Sequence, residues 1–265
     1  MSELRALIFD LDGTLADTER NGHLVAFNRA FAEAGLDWNW SVSLYGKLLS
    51  ISGGKERIKH YLSQYRPNFT PPGDWDQFVA DLHKAKTKHY QQLLGEEGIP
   101  LRPGVRRLLT EAHNQGVRLA IATTSALPNT TALLENALAP AGSAWFEVIA
   151  AGDVVPAKKP APDIYKYVLK AMGLEAQDCL AIEDSSHGLK AALGAGLDTI
   201  VTVNDYTRNQ DFSEARLVLD HLGDPQQPFT VLAGDAGNQT YLDLALARFQ
   251  LKIKEGRAGG SPVQN

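Results

Sequence analysis

Leu7-Ile-Phe-Asp-Leu-Asp-Gly-Thr-Leu15 places two carboxylates and a glycine directly after a short apolar run. The apolar residues have the length and composition of a strand that is buried on both faces. Ligands of an open α/β sheet bind beyond the carboxyl ends of the strands, so Asp10 and Asp12 are expected at the mouth of such a crevice. Two ionised carboxylates this close repel each other unless a cation lies between them, and oxygen ligands favour Mg²⁺. Asp-Gly alone is also common where a strand ends in a turn, so the rest of the chain must supply the context.

The composition is that of a soluble globular protein, with 265 residues of which 44% are hydrophobic and 22% are charged. A formal charge of −5 and the lack of a polybasic run argue against a general binder of nucleic acid or of an anionic membrane. We therefore expect neither kind of partner. The sequence leaves the oligomeric state open, and a monomer is the simplest expectation.

The cysteine content and the apolar segments bear on the compartment. Cys179 is the one cysteine, so it cannot form an internal disulfide, and its apolar neighbours predict a buried thiol in a strand. The start of the chain shows no charged-then-apolar signal, and no apolar stretch approaches the ~20 residues that span a membrane. These features predict a reducing compartment, and we expect the cytoplasm.

The chain organisation predicts an α/β fold, a Rossmann-like parallel sheet with an inserted α-helical cap domain. Residues 18–96 show helical spacing and no clear strand, whereas strand-like runs at 117–122, 148–151, 179–182, 199–203 and 217–219 alternate with helices. Such alternation implies right-handed crossovers and a parallel sheet, to which the first strand also belongs. The predicted division is therefore a core of residues 1–17 and 97–255, a cap of residues 18–96 and a flexible tail of residues 256–265, with a closing helix over 241–249.

Polar residues that can handle phosphate or metal follow three later strands of the predicted sheet. A hydroxyl at a strand end can bind a phosphoryl oxygen, although Thr and Ser often simply terminate strands. The lysine before a Pro-rich turn is held on a stiffened backbone, whereas a Lys-Lys pair is more often a solvated corner. An acidic pair at a strand end binds a cation or caps the following helix. The residues concerned are Thr123, Thr124, Ser125, Lys159, Glu183 and Asp184.

The order and type of these elements resemble the four motifs of the haloacid dehalogenase superfamily, and the Lys-Pro-x-Pro-Asp and Glu-Asp-Ser strings resemble its β-phosphoglucomutase and phosphatase subgroup. The resemblance implies that Asp10 is a nucleophile and that Asp12 is a general acid and base whose backbone carbonyl also binds Mg²⁺. It further implies that Asp184 completes the protein ligands of the ion, with Glu183 beside it or one layer behind. Thr123 and Lys159 would then neutralise charge on the phosphoryl group.

Residues of the cap are expected to select the substrate. Glu19 is a candidate for accepting hydrogen bonds from sugar hydroxyls, and an acid in a first helical turn is an equally good explanation. The segment Ser52-Gly-Gly-Lys55, with Arg57 after it, is a candidate for a second phosphate at a helix start. A solvated basic face explains the lysines of a later helix equally well. The predicted substrate contacts in the cap are Glu19, Tyr45, Lys47, Gly54, Lys55 and Lys86.

Several strings spread over nearly the whole chain look like the CbbY branch of the superfamily. That resemblance implies a Mg²⁺-dependent phosphatase of a small sugar bisphosphate, xylulose 1,5-bisphosphate, an inhibitory by-product of Rubisco. A phosphomutase that returns the phosphoryl group to a sugar is the alternative. Related mutases often carry a histidine three positions after the acid that ends the Asp17-Thr-Glu19 segment. This chain has Gly22 there, followed by His23, and this departure counts against mutase chemistry. A non-catalytic sugar-phosphate sensor is a third possibility, and the intact acidic motifs disfavour it.

Overall fold

The strands of the computed structural model form one twisted sheet within residues 3–96, 98–138 and 142–257, the part of the chain that the structure describes. They are β1 (Ala6–Phe9), β2 (Arg118–Thr123), β3 (Val148–Ala151), β4 (Cys179–Glu183), β5 (Asp198–Thr202), β6 (Leu217–Leu219) and β7 (Val231–Gly234). The sheet order is β3-β2-β1-β4-β5-β6-β7, in which β1 to β6 pair in parallel and β7 pairs antiparallel with β6. The predicted α/β fold class is confirmed.

The first strand lies at the centre of the sheet, hydrogen-bonded to β2 on one side and to β4 on the other. All four of its residues are buried, as the apolar run predicts. Because side chains alternate along a strand, Leu7 and Phe9 enter the hydrophobic cluster on one face of the sheet, and Ala6 and Ile8 enter the cluster on the other. Asp10 therefore directly follows a fully buried strand at the centre of the sheet.

Helices cover both faces of the sheet. The core helices are α5 (Val105–Asn114), α6 (Leu127–Ala137), α7 (Asp163–Met172), α8 (Ser186–Gly194) and α9 (Leu244–Arg257), with short 3-10 turns at Gly142–Trp145 and Ala176–Asp178. Leu108 of α5 and Leu134 of α6 pack on the Phe9 face, whereas Ile164 and Val168 of α7 pack on the Ile8 face. The layers of helix, sheet and helix bury the parallel strands on both sides, as such strands require.

The cap consists of α1 (Leu24–Glu33), α2 (Val42–Leu48), α3 (Gly54–Tyr65) and α4 (Trp75–Glu96), which lie between β1 and β2 in the chain. It has a hydrophobic cluster of its own, in which Phe31 makes edge-to-face contacts with Trp38 and Trp40. The two tryptophans are thus packing residues of the cap. The sequence-based boundaries of core and cap stay a prediction.

Two chain segments connect the sheet to the cap, and they run side by side. Ala16 on the outgoing segment pairs antiparallel with Leu101 on the returning one. Next to this bridge, the backbone N–H of Arg102 donates to the carbonyl oxygen of Leu15 at 2.8 Å. The cap is therefore joined to the sheet at one point, close to the loop that carries Asp12.

Three features of the C-terminal part differ from the sequence-based expectation. The four-residue edge strand β7 was not predicted, and its apolar residues are exposed at the edge of the sheet. The closing helix begins at Leu244 and not at residue 241, since the Asp243 carboxylate accepts the backbone N–H of Leu246 at 2.7 Å and caps the first turn. That helix extends to Arg257, so it includes the first two residues of the predicted flexible tail of residues 256–265, and residues 258–265 lie outside the described residues. Among the helices described, none combines the length and the hydropathy needed to cross a bilayer.

A side chain at Gly104 would collide with fixed backbone of a neighbouring segment. Its φ of 83° lies in the left-handed region, and a Cβ atom there would come within 2.2 Å of the Gly223 carbonyl oxygen. We expect Gly104→Ala to lower the free energy of unfolding by roughly 3–5 kcal/mol, the sum of backbone strain and a clash with fixed backbone. Denaturant unfolding measures this change.

Gly116 provides the matched control for this prediction. It also has a left-handed φ, of 71°, but a Cβ atom there meets nothing within 4 Å. Gly116→Ala should therefore cost only the backbone strain of about 1–2 kcal/mol. Equal losses in the two variants would contradict the steric argument at Gly104.

Candidate active site

A cavity of about 280 Å³ lies between the cap and the carboxyl edge of the sheet. Both parts of the protein line it, which fits the expectation that ligands bind beyond the strand ends. The predicted core residues at its wall are Asp10, Asp12, Thr123, Lys159 and Asp184, with Thr124 and Ser125 beside them. The predicted cap residues at its wall are Glu19, Gly54 and Lys86.

Lys159 connects the two acidic strand ends at the floor of the cavity. Its Nζ donates to Oδ1 of Asp10 at 2.6 Å and to Oε1 of Glu183 at 2.5 Å, and all three side chains are buried. The hydroxyl of Tyr165 donates to the same oxygen of Glu183. Of the two consecutive lysines in the Pro-rich turn, the second is thus the one directed into the site, and it carries a permanent positive charge beside Asp10.

Three buried carboxylates meet next to this lysine. Asp10, Glu183 and Asp184 each offer an oxygen within 4.8 Å of the others. Burial, together with the neighbouring Glu183, raises the pKa of Asp184 to about 8. Burial also raises the pKa of Asp10 well above its usual value, against the opposing charge of Lys159. Three ionised carboxylates would carry more negative charge than one lysine balances, and the raised pKa values reflect that cost. Carboxylate oxygens are the donors that a hard divalent cation prefers, so these residues fit a Mg²⁺ site.

A glycine that the sequence analysis missed makes room for the cluster. A Cβ atom on Gly188 would lie 1.8 Å from Oε2 of Glu183, so the carboxylate occupies the space of the absent side chain. Gly188 is in the first turn of α8, where the Ser185 hydroxyl caps the helix by accepting its backbone N–H at 3.1 Å. Glycine in the first turn of a predicted helix was the available signal.

The carboxylate of Asp12 is directed away from the acidic cluster. Oδ1 of Asp12 accepts the hydroxyl of Thr18 and lies 2.8 Å from Nε2 of His23, and Oδ2 accepts the hydroxyl of Ser125. Burial would raise the pKa of Asp12, but His23 and these hydrogen bonds lower it below its usual value. The expectation that the two motif-one carboxylates repel each other until a cation separates them was therefore wrong for the side chains, because they have different partners.

The contact with His23 depends on an unusual turn of helix. Residues Glu19–His23 form a π-helix, in which the hydrogen bonds span five residues and not four. One turn of it therefore holds about one residue more than a turn of α-helix. Gly22 packs under the ring of Tyr90, where a Cβ atom would come within 2.7 Å of Cε2. With this wider turn, His23 contacts Asp12 although it stands one position beyond Gly22. The sequence-based argument from Gly22 against mutase chemistry was therefore wrong, since the site does contain the histidine.

Lys86 extends this set of contacts from the cap. Its Nζ lies 2.9 Å from Nδ1 of His23, and the side chain is buried. A lysine ammonium can only donate, so Nδ1 is the acceptor and Nε2–H of His23 donates to Asp12. Burial lowers the pKa of Lys86 to about 8; Arg57 acts in the same direction, and Asp12 and Glu19 oppose it. The cap thus contacts the proposed acid and base through one imidazole.

The pKa of Lys86 sets an expected pH dependence. Because the ammonium form is needed to hold His23, kcat/KM should fall as the pH rises through about 8, where the lysine loses its proton. Lys86→Met should lower kcat/KM by about 10- to 100-fold, the equivalent of a charged hydrogen bond of 1.5–3 kcal/mol, and should remove this alkaline limb. The pH profile of phosphate release tests this. Lys84→Met, which changes an exposed lysine of the same helix, should keep the normal profile.

Two predicted cap contacts do not lie at the cavity wall. Tyr45 is fully buried, where its hydroxyl donates to Glu19 and accepts from Nη1 of Arg57 at 3.1 Å. Tyr45 therefore orients Glu19 through a hydrogen bond without lining the cavity itself. Lys47 follows two positions later on α2, about 200° around the helix, and its side chain is exposed on the outer face. The predicted direct substrate contacts of Tyr45 and Lys47 are thus not what the structure shows.

Lys55 joins the cap to the core instead of facing the cavity. Its ammonium pairs with Asp153 in the loop after β3, and Lys158 of the core lies 3.0 Å from both Asp153 and Glu56 of the cap. We call these four residues the cap–core bridge. Lys55 and Asp153 are substantially exposed, so the predicted phosphate contact of Lys55 is replaced by surface ion pairs. The start of α3 still brings Gly54 and Arg57 to the wall.

Comparisons with known proteins agree with this geometry. A family model for haloacid dehalogenase-like hydrolases matches residues 4–196. The chain is 47% identical over 248 residues to the protein CbbY (plasmid) of Cupriavidus necator, a match that covers 92% of this chain and 96% of that protein.

Solved structures extend the comparison. The crystal structure of a CbbY variant from Rhodobacter sphaeroides in complex with xylulose 1,5-bisphosphate superposes with a TM-score of 0.77 at 44% identity, covering 82% of this chain and 94% of that chain. A β-phosphoglucomutase from Clostridium difficile shares the fold, with a TM-score of 0.66 at 23% identity over 82% of this chain and 91% of that chain. The chain therefore belongs to the haloacid dehalogenase-like hydrolase family.

Proposed function

We propose that this protein is a Mg²⁺-dependent phosphatase of a sugar bisphosphate, with xylulose 1,5-bisphosphate as the best-supported substrate. The observation that carries the proposal is the opposite orientation of two carboxylates two residues apart. Asp10 faces Lys159 and the acidic cluster, whereas Asp12 faces Ser125 and the cap histidine. One carboxylate is thus placed for attack on phosphorus and the other for proton transfer to the leaving oxygen.

The reaction divides into two displacements at phosphorus. In the first, an Asp10 oxygen forms a bond to phosphorus as the ester P–O bond breaks, and Asp12 gives a proton to the departing sugar oxygen. In the second, Asp12 takes a proton from water as the water oxygen attacks the aspartyl-phosphate, which releases inorganic phosphate and restores Asp10. The ligand-free site favours ionised Asp12, so the negative charge of the arriving phosphate must raise its pKa for the first step.

The cation ligands are assigned by the hydrogen bonds that are already made. Oε1 of Glu183 accepts from Lys159 and Tyr165, and Oε2 accepts the backbone N–H of Asp184 at 3.3 Å. Glu183 therefore orients its neighbours, and Asp10 and Asp184 would hold the ion directly. A bound Mg²⁺ supplies positive charge that stabilises the phosphoryl oxygens. Lys159 and the hydroxyl of Thr123 act on the same oxygens from the protein side.

The cap is proposed to bind the second phosphate group of the substrate. Gly54 is the first residue of α3, so its backbone N–H is free of helix bonds and is directed to where an anion is favoured. Arg57 follows one turn later and also lines the cavity. A second phosphate bound here would be held across the cavity from Asp10. The xylulose bisphosphate complex of the similar CbbY structure supports a substrate with two phosphates.

Phosphate release from a panel of sugar mono- and bisphosphates tests the proposal, with Mg²⁺ and with EDTA in its place. We expect a pentulose 1,5-bisphosphate to be preferred over the matching monophosphates, and EDTA to stop turnover. Preference for a monophosphate would contradict the role given to the cap. Tight binding of a sugar phosphate without turnover would instead support a sensor.

A phosphomutase is the second candidate, and the contact between His23 and Asp12 supports it. A mutase would transfer the phosphoryl group from Asp10 to another sugar hydroxyl and not to water. The two activities differ in their products. A hexose 1-phosphate that is isomerised without release of inorganic phosphate would identify the mutase.

A further inference from the structure

The turn of residues 204–208, which follows β5, touches both the acidic cluster and the cap. Asn204 at its start faces Asp184, and Tyr206 in its middle packs on the cap helix α2. Neither residue was singled out from the sequence. The turn is therefore a short physical connection between the proposed cation site and the position of the cap.

Asn204 holds Asp184 in a space that is already full. Its Nδ2 donates to Oδ2 of Asp184 at 2.7 Å, while its Oδ1 accepts the backbone N–H of Tyr206 at 2.9 Å. The second bond fixes which way the amide is turned. A Cβ atom on Gly13 would lie 2.4 Å from Oδ2 of Asp184 and 2.6 Å from Nδ2 of Asn204, so this hydrogen bond packs directly on the loop after Asp12. A displacement of the turn therefore moves a cluster carboxylate.

The other end of the turn packs against the cap. A Cβ atom on Gly46 would lie 3.2 Å from Cδ1 of Tyr206 and 3.4 Å from its Cε1, so one edge of the ring packs against the backbone of α2. The ring also makes an edge contact with Tyr45, at 6.3 Å between centroids and 77° between planes. Its hydroxyl is buried and has no hydrogen-bond partner among the described residues, so packing and not a polar bond holds the ring. The contact exists only while the cap is seated.

We propose that Tyr206 is a positioning residue that transmits the seating of the cap to Asp184 through Asn204. The inference rests on the proposed function only in taking Asp10 and Asp184 as cation ligands. With the cap seated, the ring of Tyr206 pins the turn, and Asn204 holds Asp184 in the cluster. With the cap displaced, the ring loses its support and the turn is free to shift. Cation affinity and cap closure are therefore coupled, and the coupling acts equally in both directions.

Direct titration of Mg²⁺ into the substrate-free protein by calorimetry measures this coupling without any assumption about the reaction. Tyr206→Ala should raise the Mg²⁺ dissociation constant about fivefold or more, the lower end of typical coupling between sites. Gly46→Ala, which pushes on the ring from the cap, should act in the same direction. Tyr206→Phe keeps the ring and should stay within about twofold of the unmodified protein. Asn209→Ala changes an exposed residue directly after the turn and serves as the matched control.

Reciprocity supplies the second readout. Mg²⁺ should slow amide hydrogen exchange in α2 of the unmodified protein, and this protection should be lost in Tyr206→Ala. Asn204→Ala should weaken Mg²⁺ binding at least as much as Tyr206→Ala, because it removes the bond to Asp184 itself. Thermal unfolding of each variant with EDTA shows whether the fold is retained.

Two outcomes would overturn the inference. If Asn204→Ala weakens Mg²⁺ binding and neither Tyr206→Ala nor Gly46→Ala does, the cap is not coupled to the cluster. If Tyr206→Ala changes only the KM for substrate, with Mg²⁺ affinity unaltered, Tyr206 is a substrate contact. A failure of the proposed function looks different, because Mg²⁺ binding and its dependence on Tyr206 would persist in a protein that releases no phosphate.

Discussion

Asp10→Asn is expected to lower the rate of phosphate release by at least about 10⁴-fold, because the amide cannot form the aspartyl-phosphate on which both displacements depend. The same change should leave the protein at least as stable in EDTA. Burial and the neighbouring carboxylates raise the pKa of Asp10 in the folded protein well above its usual value. At every pH above the pKa of an aspartate in the unfolded chain, the ionised form of Asp10 therefore lowers the stability of the fold. Asparagine removes that charge. Turnover and thermal unfolding are measured on the same preparation.

The combination of the two readouts distinguishes a nucleophile from a structural residue. A structural aspartate would lose activity together with stability, whereas a nucleophile in this cluster loses activity alone. Asp37→Asn, which alters an exposed cap residue, is the control for handling and purity. Residual turnover of Asp10→Asn above about one percent of the native rate would exclude the covalent mechanism.

Lys159→Met is expected to have the second-largest effect, and it should reduce both stability and rate. The substitution leaves Asp10 and Glu183 buried without their positive partner, and removing one member of a buried ion pair costs about 3–5 kcal/mol. The loss of a charge placed beside the phosphoryl group should lower kcat by about 10²–10³-fold. Mg²⁺ should restore part of the stability, since it compensates the same carboxylates. Denaturant unfolding with and without Mg²⁺, together with kcat, measures these effects.

Lys158→Met is the matched control, because the two lysines are adjacent in the chain and differ in their surroundings. Lys158 pairs with Glu56 and Asp153 in the cap–core bridge, where partly exposed pairs contribute about 0–1 kcal/mol each. Its replacement should change stability by no more than about 1–2 kcal/mol and should not make stability depend on Mg²⁺. Similar losses in both variants would contradict the placement of Lys159 at the reacting centre.

Much of the fold was predictable because burial leaves a strong trace in sequence. The apolar runs of β1 and β4 reflect buried strands, and the helical spacing of the cap residues reflects buried helix faces. The alternation of strands and helices in the core indicates a parallel sheet. Asp10, Asp184 and Lys159 were found because each follows a strand that reaches the same edge. The four-residue edge strand β7 was missed, and its apolar residues are exposed, so an apolar run by itself does not indicate burial.

The details of the site were less predictable, because they depend on local geometry and on contacts far apart in the chain. The π-helix of Glu19–His23 brings His23 to Asp12, and a count of positions along the sequence does not reveal this contact. Lys47 and Lys55 carry the charge that phosphate attracts, but helix phase and a nearby Asp153 decide where their side chains lie. Asn204 belongs to no motif, and its contact with Asp184 comes from the sheet order.

The paired connections at Ala16 and Leu101 have an evolutionary consequence. Everything inserted between them leaves and re-enters the sheet through neighbouring backbone positions, so the registers of the strands do not depend on what the insertion contains. A recombination event that exchanges this one contiguous segment would replace the cap residues of the cavity and keep the residues at the strand ends. The architecture therefore allows new substrates to be acquired by exchanging a module, while the phosphoryl-transfer chemistry is inherited unchanged.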